Sequence, residues 1–157
     1  MKTLVLGLGN PILSDDGAGI KVAHEVGGKL NDPQVTVAET STAGLSLLDS
    51  IVGYDKVIII DAIQTEKGRA GQIYRMGTED FSLTKHFSSP HQINLATALE
   101  LGKVLDLAMP QKITIFAVEA KDITTFSEKC TPEVEQAIPE VVKMVLQELN
   151  AKHPPEG

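Results

Sequence analysis

The most constraining feature of the sequence is a run of four consecutive β-branched apolar residues, Val57 to Ile60, between Lys56 and Asp61. A strand with one solvated face alternates apolar and polar side chains, whereas this run is apolar on both faces. Strands of that kind are typical of parallel sheets that are covered by helices. The run therefore favours an α/β fold.

The rest of the chain alternates strand and helix patterns in the same way. Apolar segments predict strands at residues 2–9, 35–40, 56–61 and 112–118, with a short edge strand at 71–76. Helical periodicity predicts helices at residues 16–30, 43–52, 91–106 and from 131 onward, the last with a kink or break at Pro139. Residues 78–90 have the composition of a loop. These patterns predict a three-layer sandwich, in which a twisted, mostly parallel sheet is flanked by helices on both faces.

The length and composition fit a single domain. The 157 residues are 42% hydrophobic and 22% charged, which is enough for one well-packed core and too little for two. We expect residues 1–150 to form one α/β domain and residues 151–157 to form a flexible tail.

Composition also bears on partners and compartment. A formal net charge of −7 disfavours binding to nucleic acid or to an anionic membrane, because both depend on Lys and Arg. No apolar run approaches the roughly 20 residues of a membrane-spanning helix, and the first strand begins without a signal peptide. The single cysteine, Cys130, cannot form an internal disulfide. We therefore expect a soluble, cytoplasmic protein.

The N-terminal segment LVLGLGNPILSDDGAG joins the first strand to a helix through a glycine-rich turn that carries two acids. Such a turn normally offers backbone N–H groups to an anion, which Asp15 and Asp16 would repel. The G-x-G-x-x-G pattern of dinucleotide-binding proteins is also incomplete, because Ile12 stands where the third glycine is needed. The segment therefore favours a positively charged ligand.

Three side chains are expected to meet at one edge of the sheet. Asp16 follows the first strand, Asp61 ends the third strand, and His91 begins the helix after the long loop. In doubly wound sheets the first and third strands lie side by side, and ligands bind beyond their carboxyl ends. Two carboxylates and an imidazole suit a divalent metal and leave room for outside ligands. The topology thus predicts a metal site.

Taken singly, each of these residues has an ordinary structural interpretation. Asp16 can be a helix-start acid, Asp61 a loop or capping acid, and His91 a hydrogen-bonding residue at a helix start. Only their expected convergence favours a site.

Other polar residues have weaker support. We expect His24 and His86 to be solvated, Cys130 to be a small buried residue rather than a nucleophile, and Glu119 to lie at the surface rather than in the crevice.

The segments GLGNPILSDDGAG, IIIDAI and SPHQINL, in this order and at this spacing, resemble hydrogenase maturation endopeptidases, which process the large subunit of nickel-iron hydrogenases. The resemblance runs from Lys2 to the final helix. It implies that Asp16, Asp61 and His91 contact metal, the same residues that the topology selects. It also implies a substrate-binding role for three further residues, Gly9, Asn10 and Gly44.

The resemblance implies an endopeptidase that removes a C-terminal extension from the large-subunit precursor only after nickel has been inserted. The nickel is then supplied by the substrate, although other divalent metals can occupy such a site. Asp16, Asp61 and His91 would complete the coordination of that nickel and so position the scissile bond. Alternatively, one carboxylate, with Asp16 the better candidate, is a general base. The residues leave open whether the metal takes part in hydrolysis or in recognition alone.

Three other functions share part of the pattern. A non-catalytic nickel-binding chaperone module of hydrogenase assembly would have the same site. Peptidyl-tRNA hydrolases also begin with GLGNP, but they continue into a Thr-Arg-His-Asn segment that this chain lacks, and they need a basic surface. A dinucleotide-binding module is disfavoured by Ile12 and by the two acids.

Overall fold

Six strands and four helices alternate along the chain in the computed structural model, which describes residues 1–41, 45–77, 87–88 and 90–150. The strands are β1 (Thr3–Leu8), β2 (Val35–Thr40), β3 (Lys56–Thr65), β4 (Ile73–Gly77), β5 (Phe87–Ser88) and β6 (Lys112–Glu119). The helices are α1 (Ala18–Lys29), α2 (Leu45–Ile51), α3 (Pro90–Val104) and α4 (Pro132–Asn150). A short 3₁₀ turn, Ser14–Gly17, leads into α1.

The main sheet has the strand order β2-β1-β3-β6-β4. β1 pairs in parallel with β2 and β3, and β3 pairs in parallel with β6. β4 runs antiparallel to β6 at one edge, and β5 pairs antiparallel with the end of β3. The strand order reverses at β1, because β2 lies on one side of it and β3 on the other. The carboxyl ends of β1 and β3 therefore border the crevice in which doubly wound sheets bind ligands.

Alternate residues of β3 enter two separate hydrophobic cores. Ile58 and Ile60 pack with residues of α1 and α4 on one face. Val57 and Ile59 pack with residues of α2 on the other face. All four side chains are fully buried, which explains why the run carries no polar residue. The three-layer α/β sandwich predicted from the sequence is confirmed.

The third strand is longer than the sequence predicts. It was expected to end at Asp61, but it continues to Thr65. Ala62 and Ile63 pair with β6, and Gln64 and Thr65 pair with β5. The pairing of β3 with β1 stops at Ile60, so Asp61 lies inside β3 at the first position beyond β1.

α4 is continuous from Pro132 to Asn150, so the predicted alternative of a break at Pro139 is wrong. Proline removes the N–H that would bond to the carbonyl of Glu135 four residues earlier. Both residues are on the exposed side of the helix, where water can bond to that carbonyl. On the opposite face of the helix, Val134, Ile138 and Val141 pack in the core. This packing stabilises the helix on both sides of Pro139.

Two other predictions concern loops and the chain end. Within residues 78–90, predicted to be a loop, Phe87–Ser88 form β5 and residue 90 begins α3, while residues 78–86 and 89 lie outside the described part. Residues 151–157 are also outside it, so the flexible tail stays a prediction. In the described part of the chain, no helix is long and apolar enough to cross a membrane.

Candidate active site

The first acid of the pair, Asp15, is fully buried and fastens the 3₁₀ turn to the connection between β6 and α4. Its carboxylate accepts hydrogen bonds from the backbone N–H groups of Lys121 (2.9 Å), Asp122 (3.0 Å) and Thr131 (2.7 Å). The hydroxyl of Thr131 also donates to it, at 2.9 Å from Oδ2. The backbone N–H of Asp15 in turn donates to the carbonyl of Asp122 at 2.9 Å. Asp15 is therefore an anchor of the turn.

The second acid, Asp16, lies close to the end of β1. Its side chain is nearly buried, and Oδ2 accepts the backbone N–H of Asn10 at 2.8 Å. Asn10 shapes the same loop, because its side-chain oxygen accepts the N–H of Ile12 and its carbonyl accepts the N–H of Leu13, each at 3.1 Å. Asn10 thus sets the path of the acid-bearing turn, and its contact with substrate stays a prediction.

Gly9 is required where the turn crosses the end of β1. Its φ of 148° belongs to the region that side chains disfavour, and a Cβ there would overlap the carbonyl oxygen of Asp16. Gly9 therefore lets the acid-bearing turn pack directly on the strand. Direct contact between Gly9 and a substrate remains a prediction.

The beginning of α1 is equally close to the ends of β1 and β3. A Cβ on Gly19 would overlap the carbonyl oxygen of Ile60 and would lie 2.6 Å from that of Leu8. The 3₁₀ turn itself contacts β3. Asp61 follows Ile60 directly, so its backbone lies close to the beginning of α1, which the turn that carries Asp16 precedes.

The Asp61 carboxylate is 1% exposed, and its Oδ1 accepts the backbone N–H of Ala62 at 2.8 Å. The structure therefore places two predicted site residues, Asp16 and Asp61, just beyond the end of β1. Carboxylates are common ligands of divalent cations. This arrangement suits metal coordination or general base catalysis.

The remaining predicted site residues are only partly described. His91 is the second residue of α3, and its side chain lies outside the described part, as does Gly44. The described residues contain no group of three His, Cys, Asp or Glu side chains that would hold a metal. The ligand set of Asp16, Asp61 and His91 therefore stays a prediction.

Glu119, expected at the surface, is in fact buried at the end of β6. Its carboxylate accepts the N–H of Thr65 at 2.8 Å, the hydroxyl of Thr65 at 2.6 Å and the hydroxyl of Tyr74 at 2.9 Å. A Cβ on Gly68 would overlap this carboxylate, so the chain closes tightly over it. Glu119 therefore joins β3, β4 and β6. The sequence does not indicate this role, because Thr65 lies beyond the predicted end of the third strand.

Two further candidates behave as expected. Cys130 is half-buried with Sγ 3.7 Å from the carbonyl oxygen of Ser14, and burial raises the pKa of its thiol. It is therefore a poor nucleophile. His24 is exposed on α1, and His86 lies outside the described residues.

The sequence model of the hydrogenase maturation protease family matches residues 20–148. The chain belongs to this family. It is 30% identical over 148 residues to the hydrogenase 2 maturation protease of Escherichia coli, covering 93% of this chain and 89% of that protein. It is 26% identical over 151 residues to the hydrogenase expression/formation protein HupD of Bradyrhizobium diazoefficiens, covering 94% and 78%. Its fold matches that of the hydrogenase maturating endopeptidase HybD from E. coli with a TM-score of 0.85 and 29% identity, over 96% of this chain and 93% of the other.

This hydrogenase maturation protease is thus a hydrolase, and the resemblance stated from its motifs is confirmed. Membership of a protease family favours an enzyme over a non-catalytic chaperone, a peptidyl-tRNA hydrolase or a dinucleotide-binding module. The segment that matches the family model contains Asp61 and His91, whereas Asp16 precedes it.

Proposed function

We propose that this maturation protease removes a C-terminal extension from the large-subunit precursor of a nickel-iron hydrogenase, and that it does so only when the precursor holds nickel. The observation that supports the proposal is that two acids, Asp16 and Asp61, are both buried and both lie just beyond the end of β1. Both residues are 9% exposed or less, and their carboxylates would attract a cation that arrives with the substrate.

In this proposal nickel belongs to the substrate. Asp16, Asp61 and His91 complete the coordination of the precursor's nickel and thereby hold the scissile peptide bond in the crevice. Water then adds across that bond, with its oxygen joining the carbonyl carbon and its proton passing to the leaving amine. Alternatively, one carboxylate receives a proton from this water as a general base instead of binding the nickel, and Asp16 is the better candidate for that role.

The proposal extends to the ligand and the compartment. Other divalent metals would bind weakly, because three protein ligands leave the coordination shell of a metal incomplete. The cytoplasmic location expected from the sequence belongs to the same proposal, since a chain with a single cysteine needs no oxidising compartment to fold.

The test is intact-mass spectrometry of a hydrogenase large-subunit precursor before and after incubation with the purified protein. We expect the loss of a C-terminal peptide from the nickel-loaded precursor and no change in the nickel-free precursor. Equal cleavage of both samples would contradict nickel dependence. Retention of the full mass in both, across precursors of several hydrogenases, would contradict the cleavage itself.

We predict that Asp16→Asn and Asp61→Asn each lower the cleavage rate by about a hundredfold or more, because each removes a charge at the reacting centre. Asparagine keeps an oxygen that can accept the N–H of Asn10 or Ala62, so both variants should fold. The matched control is Glu140→Gln, which removes an exposed acid from α4. Wild-type rates in either site variant would remove that residue from the proposed site.

A further inference from the structure

Six large apolar side chains are exposed in the described part of the chain: Met1, Ile12, Val104, Leu105, Leu107 and Phe126. Four of them lie near the amino ends of the strands, because they precede β1 or lie between the last residue of α3 and the start of β6. The other two, Ile12 and Phe126, lie at the carboxyl edge, beside the acid-bearing turn. They are 49% and 81% exposed, and Phe126 is the most exposed of the six.

Ile12 and Phe126 are brought together by backbone pairing. Leu13 and Ser127 form an isolated parallel bridge, in which the N–H of Ser127 donates to the carbonyl of Ile12 and the N–H of Ser14 donates to the carbonyl of Ser127, each at 2.9 Å. Ile12 and Phe126 directly precede the two bridge partners, so their backbones are neighbours. We call the surface formed by Ile12 and Phe126 the apolar ridge.

The loop that carries Phe126 is held by its own hydrogen bonds. The Asp122 carboxylate accepts the backbone N–H groups of Thr124 and Thr125, each at 3.0 Å, and hydrogen bonds from Thr125 and Thr124 lower the pKa of Asp122 to about 2. The side-chain oxygen of Ser127 accepts the N–H of Lys129 at 3.1 Å. A loop whose backbone is already fixed loses little backbone freedom on binding, which suits its aromatic residue as an interface anchor.

We propose that the apolar ridge docks the folded body of the large-subunit precursor while its C-terminal tail occupies the crevice. This inference rests on the proposed function. Ile12 belongs to the turn that carries Asp16, and the Phe126 loop supplies the N–H groups that anchor Asp15. A protein seated on the ridge is therefore placed at a fixed position relative to the acids.

The position and chemistry of the ridge favour this occupant. When the C-terminal tail of the precursor enters the crevice, the folded domain of the precursor is brought against the rim of the crevice. Among the described residues, the apolar ridge is the exposed apolar part of that rim. The surrounding loop residues Lys121, Glu128 and Lys129 are exposed and charged. An apolar centre within a polar rim is the usual composition of a transient protein interface. The precursor should thus present an apolar patch next to the base of its tail.

The test compares the affinity of the purified nickel-loaded precursor for the full-length wild-type protein, for Phe126→Ser and for Val104→Ser. We expect Phe126→Ser to weaken binding about tenfold or more, which corresponds to about 1.4 kcal/mol, and to raise KM without lowering kcat. Val104→Ser is the matched control, because Val104 is 78% exposed but lies at the opposite edge of the sheet. It should stay within twofold of wild type.

Several results would overturn the docking role. They are wild-type affinity in Phe126→Ser, an equal loss in Val104→Ser, no measurable binding of the precursor to the wild type, and a change in Phe126→Ser confined to self-association of this chain. Cleavage by Phe126→Ser with the wild-type KM would overturn the docking role and leave the proposed function standing. Binding that depends on Phe126 without any cleavage by the wild type would support docking and contradict the proposed function.

Discussion

Asp15 and Asp16 are neighbours of the same chemical type, yet the structure gives them different roles. Asp15 is surrounded by donors from the connection between β6 and α4 and has no exposed surface. Asp16 receives an N–H from its own loop and borders the crevice. The pair therefore divides into an anchor and a candidate reactive group, and the anchor fixes the direction in which the reactive group points.

We predict that Asp15→Ala lowers the free energy of unfolding by about 3 kcal/mol or more, because it leaves three backbone N–H groups without their buried acceptor. Urea unfolding at neutral pH measures this loss. Glu128→Ala, which truncates an exposed acid of the same connection, should change the stability by no more than about 0.5 kcal/mol. A similar small change in Asp15→Ala would show that the anchoring bonds contribute little.

Sequence patterns predict Asp16 and Asp61 as site residues because each sits at a fixed place in a local motif. The role of Asp15 was missed because its partners are 106, 107 and 116 residues away, and no local pattern indicates them. Glu119 was missed for a similar reason, because Tyr74 and Thr65 lie on two other strands.

At the scale of elements, α1 approaches the sheet unusually closely. Gly7 on β1 faces the helix, and a Cβ there would overlap the carbonyl oxygen of Gly19. Gly19 in turn lies against Ile60 and Leu8. Glycines that lower the helical propensity of this segment thus allow the contact that places the 3₁₀ turn at the crevice.

We predict opposite effects of two Gly→Ala substitutions on this one helix. Gly19→Ala should destabilise the protein by about 1–3 kcal/mol, because the new methyl group forces α1 away from β1 and β3. Gly28→Ala should stabilise it by about 0.5–1 kcal/mol, because no atom lies within 4 Å of the added methyl and alanine favours a helix. Thermal unfolding of both variants measures the difference. Equal effects would contradict the close packing at Gly19.

The order and type of the helices and of the long strands were predictable, because their apolar periodicity reflects burial on the faces of the sheet. The extension of β3 to Thr65 was not, since the polar residues Gln64 and Thr65 pair with the two-residue strand β5. A strand that short carries no periodicity of its own. The continuity of α4 past Pro139 depends on the exposure of Pro139 and of the carbonyl four residues before it. The pattern of apolar residues in the sequence does not reveal that exposure.

Across the whole molecule, the two edges of the sheet carry different charge clusters. At the amino edge, Glu148 of α4 lies 2.9 Å from a guanidinium nitrogen of Arg75 and 3.0 Å from the hydroxyl of Thr114. The buried Lys56 ammonium donates to the carbonyl of Glu148 at 3.0 Å. Burial alone would raise the pKa of Glu148, but the hydrogen bond from Thr114 and the charges of Lys56 and Arg75 outweigh it and lower the pKa. This cluster ties α4 to β3, β4 and β6, far from the crevice.

Because the folded-state pKa of Glu148 is below its usual value of 4.5, its stabilising effect is fully present above that pH and is lost as the pH falls through the folded-state pKa. We predict that Glu148→Gln lowers the stability by about 1 kcal/mol at pH 7, and that the difference from wild type shrinks below pH 4.5. Urea unfolding across this pH range measures it. Glu140→Gln, an exposed position on the same helix, is the control. A difference that grows as the pH falls would contradict the cluster's role.

The hydrogen bonds of Asp15 determine when the acid-bearing turn is fixed during synthesis on the ribosome. The acid-bearing turn is among the first parts of the chain to be synthesised. The backbone N–H groups that hold it through Asp15 belong to Lys121, Asp122 and Thr131, which are synthesised much later. A nascent chain that stops short of these residues lacks the donors that fix the turn. The turn that carries Asp16 is therefore fixed only after most of the polypeptide has been made, so under the proposed function we expect a partly translated copy to be inactive.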